Sequence, residues 1–84
     1  MPHVILYTRA GCCLCDSARD ALLRVLASYP SAFRLEERDI ESDDALLRAY
    51  LERIPVVTID GQESFELFVD ETELQRRLDI VQTG

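Results

Sequence analysis

Cys12, Cys13 and Cys15 are the only cysteines of the chain, and they fall within four positions. Thiols gathered this closely can exchange disulfides or hold a soft metal. Geometry ranks the pairs. Neighbouring Cys12 and Cys13 have alpha carbons only about 3.8 Å apart, below the roughly 4.4–6.8 Å that a disulfide wants. Cys13 and Cys15 project to different sides of a strand or a helix. Cys12 and Cys15, three residues apart, meet on one face of a helical first turn. The spacing therefore selects Cys12-x-x-Cys15, with Cys13 as a spare thiol inside the pair.

That chemistry needs a helix start. The thiolate is the nucleophile, and the unpaired N–H groups and dipole of a helix N-terminus stabilise it. An apolar run, Val4 to Tyr7, leads into the cysteines, and a helical pattern from Asp16 to Ser28 leaves them. Cys12 stands at or just before the first turn; Cys15 is one turn inside and more buried. The expected reaction is attack by Cys12 on a disulfide, followed by resolution of the mixed disulfide by Cys15. A single cysteine would read as a small buried hydrophobe; three at one junction favour redox or metal chemistry.

The surrounding elements follow from periodicity. His3 to Thr8 is a continuous apolar run, suited to a central strand buried on both faces. The helix after the cysteines shows an apolar stripe of Leu14, Ala18, Ala21, Leu22, Val25 and Leu26, and Tyr29-Pro30-Ser31 ends it. Ala32 to Ile40 alternates: Phe33 and Leu35 share one face, and Arg34, Glu36 and Arg38 the other, as in a charged edge strand. Ser42 is the expected cap of a second helix, with Asp43 and Asp44 in its first turn and an inner surface of Leu46, Leu47, Tyr50 and Leu51. Ile54 to Ile59 is a third strand with Pro55 tolerated at its start. Asp60-Gly61 marks a hairpin, and Glu63 to Phe68 returns as a fourth strand. Asp70 opens the last helix, with capping-box spacing to Glu73 and hydrophobic-staple spacing from Val69 to Leu74. Leu74, Leu78 and Val81 turn inward, and the tail Gln82-Thr83-Gly84 frays. The order is strand, helix, strand, helix, strand, strand, helix: an α/β (α+β) domain spanning 1–84, with a mixed sheet under helices.

The chain has 84 residues and a formal charge of −7, with all nine basic residues arginine. An acidic surface disfavours nucleic acid and anionic membranes, and no apolar run approaches the roughly 20 residues of a membrane span. Met1-Pro2-His3 runs into a strand without the basic region, apolar core and cleavage site of a secretory signal. The expected location is therefore the cytoplasm, where clustered cysteines are catalytic or metal-binding rather than structural staples.

Taken together, the residues resemble those of glutaredoxins, within the thioredoxin-fold superfamily. Leu6-Tyr7-Thr8-Arg9 followed by Cys12-Cys13-Leu14-Cys15 resembles the family's strand, basic residue and active-site C-x-x-C. Ile54-Pro55 resembles the segment that holds the family's cis-proline. The short chain, with Asp60-Gly61 through Phe68 and Asp70, is similar to small bacterial glutaredoxin-like proteins. The resemblance covers nearly the whole domain. It implies a βαβαββα fold, a sheet of order 2-1-3-4 flanked by three helices, a cis peptide before Pro55, Cys12 as nucleophile and an Ile54 backbone able to pair with a substrate. It departs in three places. Cys13 replaces the proline common within the cysteine pair. Asp16 follows Cys15 where a basic residue is often found, and its charge opposes the thiolate. Phe68-Val69-Asp70 stands where glutaredoxins carry paired glycines associated with glutathione binding.

Three functions remain in view. The leading one is a thiol–disulfide oxidoreductase of Cys12 and Cys15, a monomer with Arg9 and Cys13 in supporting positions and Ile54 and Pro55 shaping a groove for a disulfide-containing protein or a small thiol. It requires no cofactor; glutathione would be the family's reductant, against the missing glycines. Arg9 reads equally as a solvated surface residue. The second function is iron–sulfur or soft-metal handling. A closed zinc site needs four ligands, so Asp16, glutathione or a second chain would have to complete it, and no metal is assigned. The third is a weakly catalytic binding module, since a fold alone does not fix a function.

Overall fold

The computed structural model describes residues 3–29 and 33–83, with the side chains of residues 82 and 83 excepted. Four strands, β1 (His3–Thr8), β2 (Arg34–Asp39), β3 (Val56–Ile59) and β4 (Gln62–Glu66), and three helices, α1 (Cys13–Leu26), α2 (Asp44–Tyr50) and α3 (Glu71–Thr83), follow one another as βαβαββα. The sheet order is β2-β1-β3-β4. β1 runs parallel to β2 and antiparallel to β3, and β3 is antiparallel to β4. Among the described residues, no helix is long and apolar enough to cross a membrane.

Strand alternation divides the apolar side chains between two layers. On one face Val4 and Leu6 of β1 and Val57 and Ile59 of β3 meet Ala18, Leu22 and Val25 of α1 and Leu74 and Leu78 of α3. Leu22, Leu74 and Leu78 are fully buried, and each such side chain contributes about 2 kcal/mol of transfer free energy. The other face is thinner. Tyr7, Ile40 and Val56 are covered by Ile5, Ile54 and the half-buried Leu46, Leu47 and Tyr50 of α2. Tyr7 and Tyr50 stack with centroids 4.7 Å apart. The first layer supplies most of the core, so α1, which carries the cysteines, is held by the stronger of the two.

Several boundaries differ from the sequence reading. α1 begins at Cys13, and its buried stripe is Cys15, Ala18, Ala21, Leu22 and Val25. Leu14 is 57% exposed: Cys15, three residues before Ala18 and seven before Leu22, occupies the inward position assigned to Leu14. Ser42 does not cap α2. A 3₁₀ turn, Ile40–Ser42, intervenes, and the Asp43 carboxylate accepts from the Ala45 N–H instead, at 2.8 Å. The Ser42 hydroxyl donates back to the Asp39 carbonyl at 2.6 Å. Leu51 falls just past α2 and is largely exposed. β4 stops at Glu66, so Leu67 and Phe68 are not strand residues. α3 continues through Thr83 rather than fraying from Gln82. The Pro30-Ser31 stop, Ala32 and Gly84 lie outside the described residues.

Candidate active site

The chain leaves β1 at Thr8 and must turn back into α1 within four residues. The Cys12 N–H donates to the Arg9 carbonyl at 3.3 Å, closing a turn over Ala10 and Gly11. Gly11 takes φ +79, a conformation that is costly for a residue with a Cβ. Cys12 follows in extended geometry as the N-cap of α1, and its sulfur accepts the Cys15 N–H at 3.2 Å. A sulfur thus does the work of the oxygen that usually satisfies an orphan N–H at a helix start.

Cys12 and Cys15 are joined as a disulfide with alpha carbons 5.2 Å apart, inside the range such a bond needs. Cys15 is 1% exposed, Cys12 is half-buried, and Cys13, the first residue of α1, is exposed and free. The sulfur that can be reached from solvent is therefore the one at the polarised turn. Its partner lies behind it against the core. On reduction, a thiolate at Cys12 would gain from both the N–H donor and the helix dipole, each of which favours the charged form.

Register brings a second segment to this end of the sheet. Tyr7 pairs with Val56, so Ile54-Pro55 lies beside the end of β1 from which the cysteine turn departs. The Ile54–Pro55 peptide is cis, as the family resemblance implies. The Ile54 N–H donates to the Tyr50 carbonyl at 3.0 Å, which leaves the Ile54 carbonyl as the group a substrate strand could use. A third segment joins them: the Leu67 N–H donates to the Pro55 carbonyl at 2.9 Å and to the Arg53 carbonyl at 3.1 Å. Leu67 has φ +72, and the Phe68 N–H returns to the Glu66 carbonyl at 2.9 Å, a tight three-residue turn. The turn leaves Leu67 and Phe68 49% and 68% exposed. No turn residue announces it in the sequence, which is why alternation reads Leu67 and Phe68 as strand residues rather than as exposed apolar side chains beside Pro55.

The charged neighbours are paired. Arg9 lies 3.5 Å from Glu41, with both side chains partly exposed, so its guanidinium is shared with a carboxylate of the 3₁₀ turn that follows β2. Asp16, expected to oppose the thiolate, is bound by Arg19 at 3.0 Å, and Arg19 also meets Glu37. The carboxylates hold the Arg19 guanidinium above its ordinary pKa, Glu37 first and Asp16 second. His3, the one histidine, sits at the opposite end of β1, 3.2 Å from Glu36. Among the described residues, no three His, Cys, Asp or Glu side chains are arranged to hold a metal ion.

The family model that matches is the Glutaredoxin-like domain (DUF836), over residues 3–79. Among solved structures, one of chloroplastic thioredoxin z superposes with a TM-score of 0.81 at 11% identity, covering 100% of this chain and 80% of that one. The structural-genomics target protein XcR50 from X. campestris is 32% identical, with a TM-score of 0.73 over 92% of this chain and 96% of that one. A structure describing thiol resolution in a yeast mitochondrial 1-Cys peroxiredoxin via glutathione/thioredoxin systems contains a chain with a TM-score of 0.68 at 17% identity, covering 94% of this chain and 77% of that one. The first and third likenesses speak for the thioredoxin-like fold. No curated protein sequence matches the chain.

Proposed function

Because the chain belongs to the glutaredoxin-like domain family, we propose that it is a thiol–disulfide oxidoreductase in which Cys12 attacks and Cys15 resolves. The observation that carries this reading is the Cys12 sulfur, which caps α1 through the Cys15 N–H while bonded to a buried partner. In the reduced protein the Cys12 thiolate attacks one sulfur of a substrate disulfide. The substrate S–S bond breaks, and the departing sulfur takes up a proton as a thiol. Cys15, deprotonated in turn, attacks the Cys12 sulfur and releases the second substrate thiol. The protein disulfide forms, and two electrons have passed to the substrate. No resident cofactor is needed, because the electron pair moves between sulfurs.

The supporting roles follow from the same geometry. Gly11 lets the turn deliver Cys12 to the helix start. Pro55 and the Ile54 carbonyl form the wall on which an extended substrate would lie. Arg9 is paired with Glu41, so its charge is partly offset before it can favour a thiolate. Both sulfurs belong to one chain, so a monomer suffices. A reducing compartment such as the cytoplasm suits a dithiol that must be regenerated.

Single-turnover reaction of the pre-reduced protein with bis(2-hydroxyethyl) disulfide, followed by mass mapping of the sulfurs, tests this. The wild type is expected to form the Cys12–Cys15 bond, and Cys15→Ser to accumulate a mixed disulfide on Cys12. A Cys12→Ser variant that reacts at the wild-type rate would overturn the assignment.

A further inference from the structure

The end of the sheet that holds the sulfurs carries two features that the exchange reading does not use. The first is apolar exposure: Leu14, one residue before Cys15, and Leu67 and Phe68, beside Pro55, are 57%, 49% and 68% exposed. Large apolar side chains left in water around a site mark a contact surface. The second is charge. Arg9 is met by Glu41, Arg19 by Asp16 and Glu37, and Arg53 by Glu66 at this end of β4. Three guanidinium groups thus face four carboxylates, and these pairs are net negative. At the start of α3, just beyond Phe68, the Thr72 and Glu73 N–H groups already donate to the Asp70 carboxylate at 3.0 and 3.2 Å, which places a negative charge where an anion would approach.

Glutathione brings two carboxylates and one ammonium to these pairs. It would need a cation or a vacant helix start, and those nearby are occupied by the protein's own acids. A polypeptide with an apolar residue beside its cysteine and basic residues around it would meet complementary surfaces instead. Resting on the exchange reading above, we infer that the partner this site selects is a cysteine-containing polypeptide of that kind, in preference to glutathione. The chemistry is the same two-electron transfer, from the Cys12/Cys15 dithiol to the disulfide of the polypeptide.

The test uses the pre-reduced full chain in single turnovers with four probes: bis(2-hydroxyethyl) disulfide, glutathione disulfide, and two symmetrical disulfides of short peptides with a Phe-Cys centre flanked by Arg or by Glu. Each rate is divided by that of dithiothreitol on the same probe, which removes the probe's own reactivity. The Arg-flanked peptide is expected to react about tenfold faster than the Glu-flanked one at low ionic strength, and salt should bring the two together. Glutathione disulfide should react no faster than the neutral probe. Glu41→Gln combined with Glu66→Gln should narrow the peptide ratio, and Phe68→Ser should slow both peptides about fivefold, the worth of roughly 1 kcal/mol of apolar contact. Equal peptide rates at low salt, or glutathione disulfide as the fastest probe, would overturn the inference and leave the exchange reading standing. Failure on all four probes, the neutral one included, would remove both.

Discussion

At the start of α1 the Cys15 N–H donates to the sulfur of Cys12; at the start of α3 the Thr72 and Glu73 N–H groups donate to the carboxylate of Asp70. Both residues satisfy donors that a helix leaves without partners, but they differ in what else they can do. The Asp70 carboxylate only caps. The Cys12 sulfur can be a disulfide, a thiol or a thiolate, and its charge appears and disappears as bonds are exchanged. The contact that ends the helix backbone in one place is, in the other, the contact that steadies a leaving or attacking sulfur. The exposed surface follows the same division. Two residues past each cap the chain is exposed, but the side chain there is the apolar Leu14 in α1 and the polar Thr72 in α3. Only the start that carries the sulfurs presents an apolar side chain to an approaching partner.

Substitutions at the two starts can separate capping from chemistry. The largest effect is expected for Cys12→Ser, which should lower the exchange rate by about a thousandfold or more, since a hydroxyl cannot replace the thiolate. Yet serine is among the preferred N-caps, so the stability of the reduced protein should change by less than about 0.5 kcal/mol. Equal losses of rate and stability would mean that the cap and the nucleophile cannot be separated. Next comes Leu74→Ala, which should cost about 3 kcal/mol in denaturant unfolding by opening a cavity behind the α3 cap. Asp70→Ala should cost about 1 kcal/mol and leave the sulfurs of α1 able to react with bis(2-hydroxyethyl) disulfide. A loss of that reaction would show the two starts to be coupled.

The smallest effect is one of pH. Arg24 holds the Glu71 carboxyl below its ordinary value of 4.5, and Arg76 does the same for Glu73. The folded protein therefore releases these protons more readily than the unfolded chain. Their contribution is fully present above the unfolded value and is lost as pH falls through the folded one. Unfolding measured across this acid range should show stability declining only below the ordinary carboxylate value, and less so in high salt, because these pairs are exposed. Stability that rose with acidification would contradict the pairing at the α3 start.

How much of this was legible in the sequence depended on whether the signal was local. The cysteine spacing, the Asp60-Gly61 turn and the Asp70 cap each depend on a few neighbouring residues, and each appears in the fold. The Val69–Leu74 staple also survives, with both residues in one core layer. The Glu73 half of the capping box does not, because Glu73 is engaged by Arg76 and Arg77 instead. Ser42 lost its capping role to Asp43 because a 3₁₀ turn shifted the helix start, and Ser and Asp next to each other are equally plausible caps. Leu67 and Phe68 read as strand residues by alternation. Their departure from the strand depends on hydrogen bonds to Arg53 and Pro55, more than ten residues away. The pairing of Arg9 with Glu41 likewise depends on β1 and β2 lying side by side, a tertiary fact that neither residue type encodes.

The Asp60-Gly61 hairpin has a practical consequence. Asp60 and Gly61 take φ values of 55 and 86, nothing lies within 4 Å of where a Gly61 Cβ would stand, and the Asp60 N–H is bonded to His3 at the start of β1. The bend sits at the pole of the sheet away from the sulfurs, and exposed tips of this kind accept added groups well. A fluorophore or an immobilising tether anchored there would leave the reactive pole free, giving an experimenter a handle on the molecule that does not compete with its thiols.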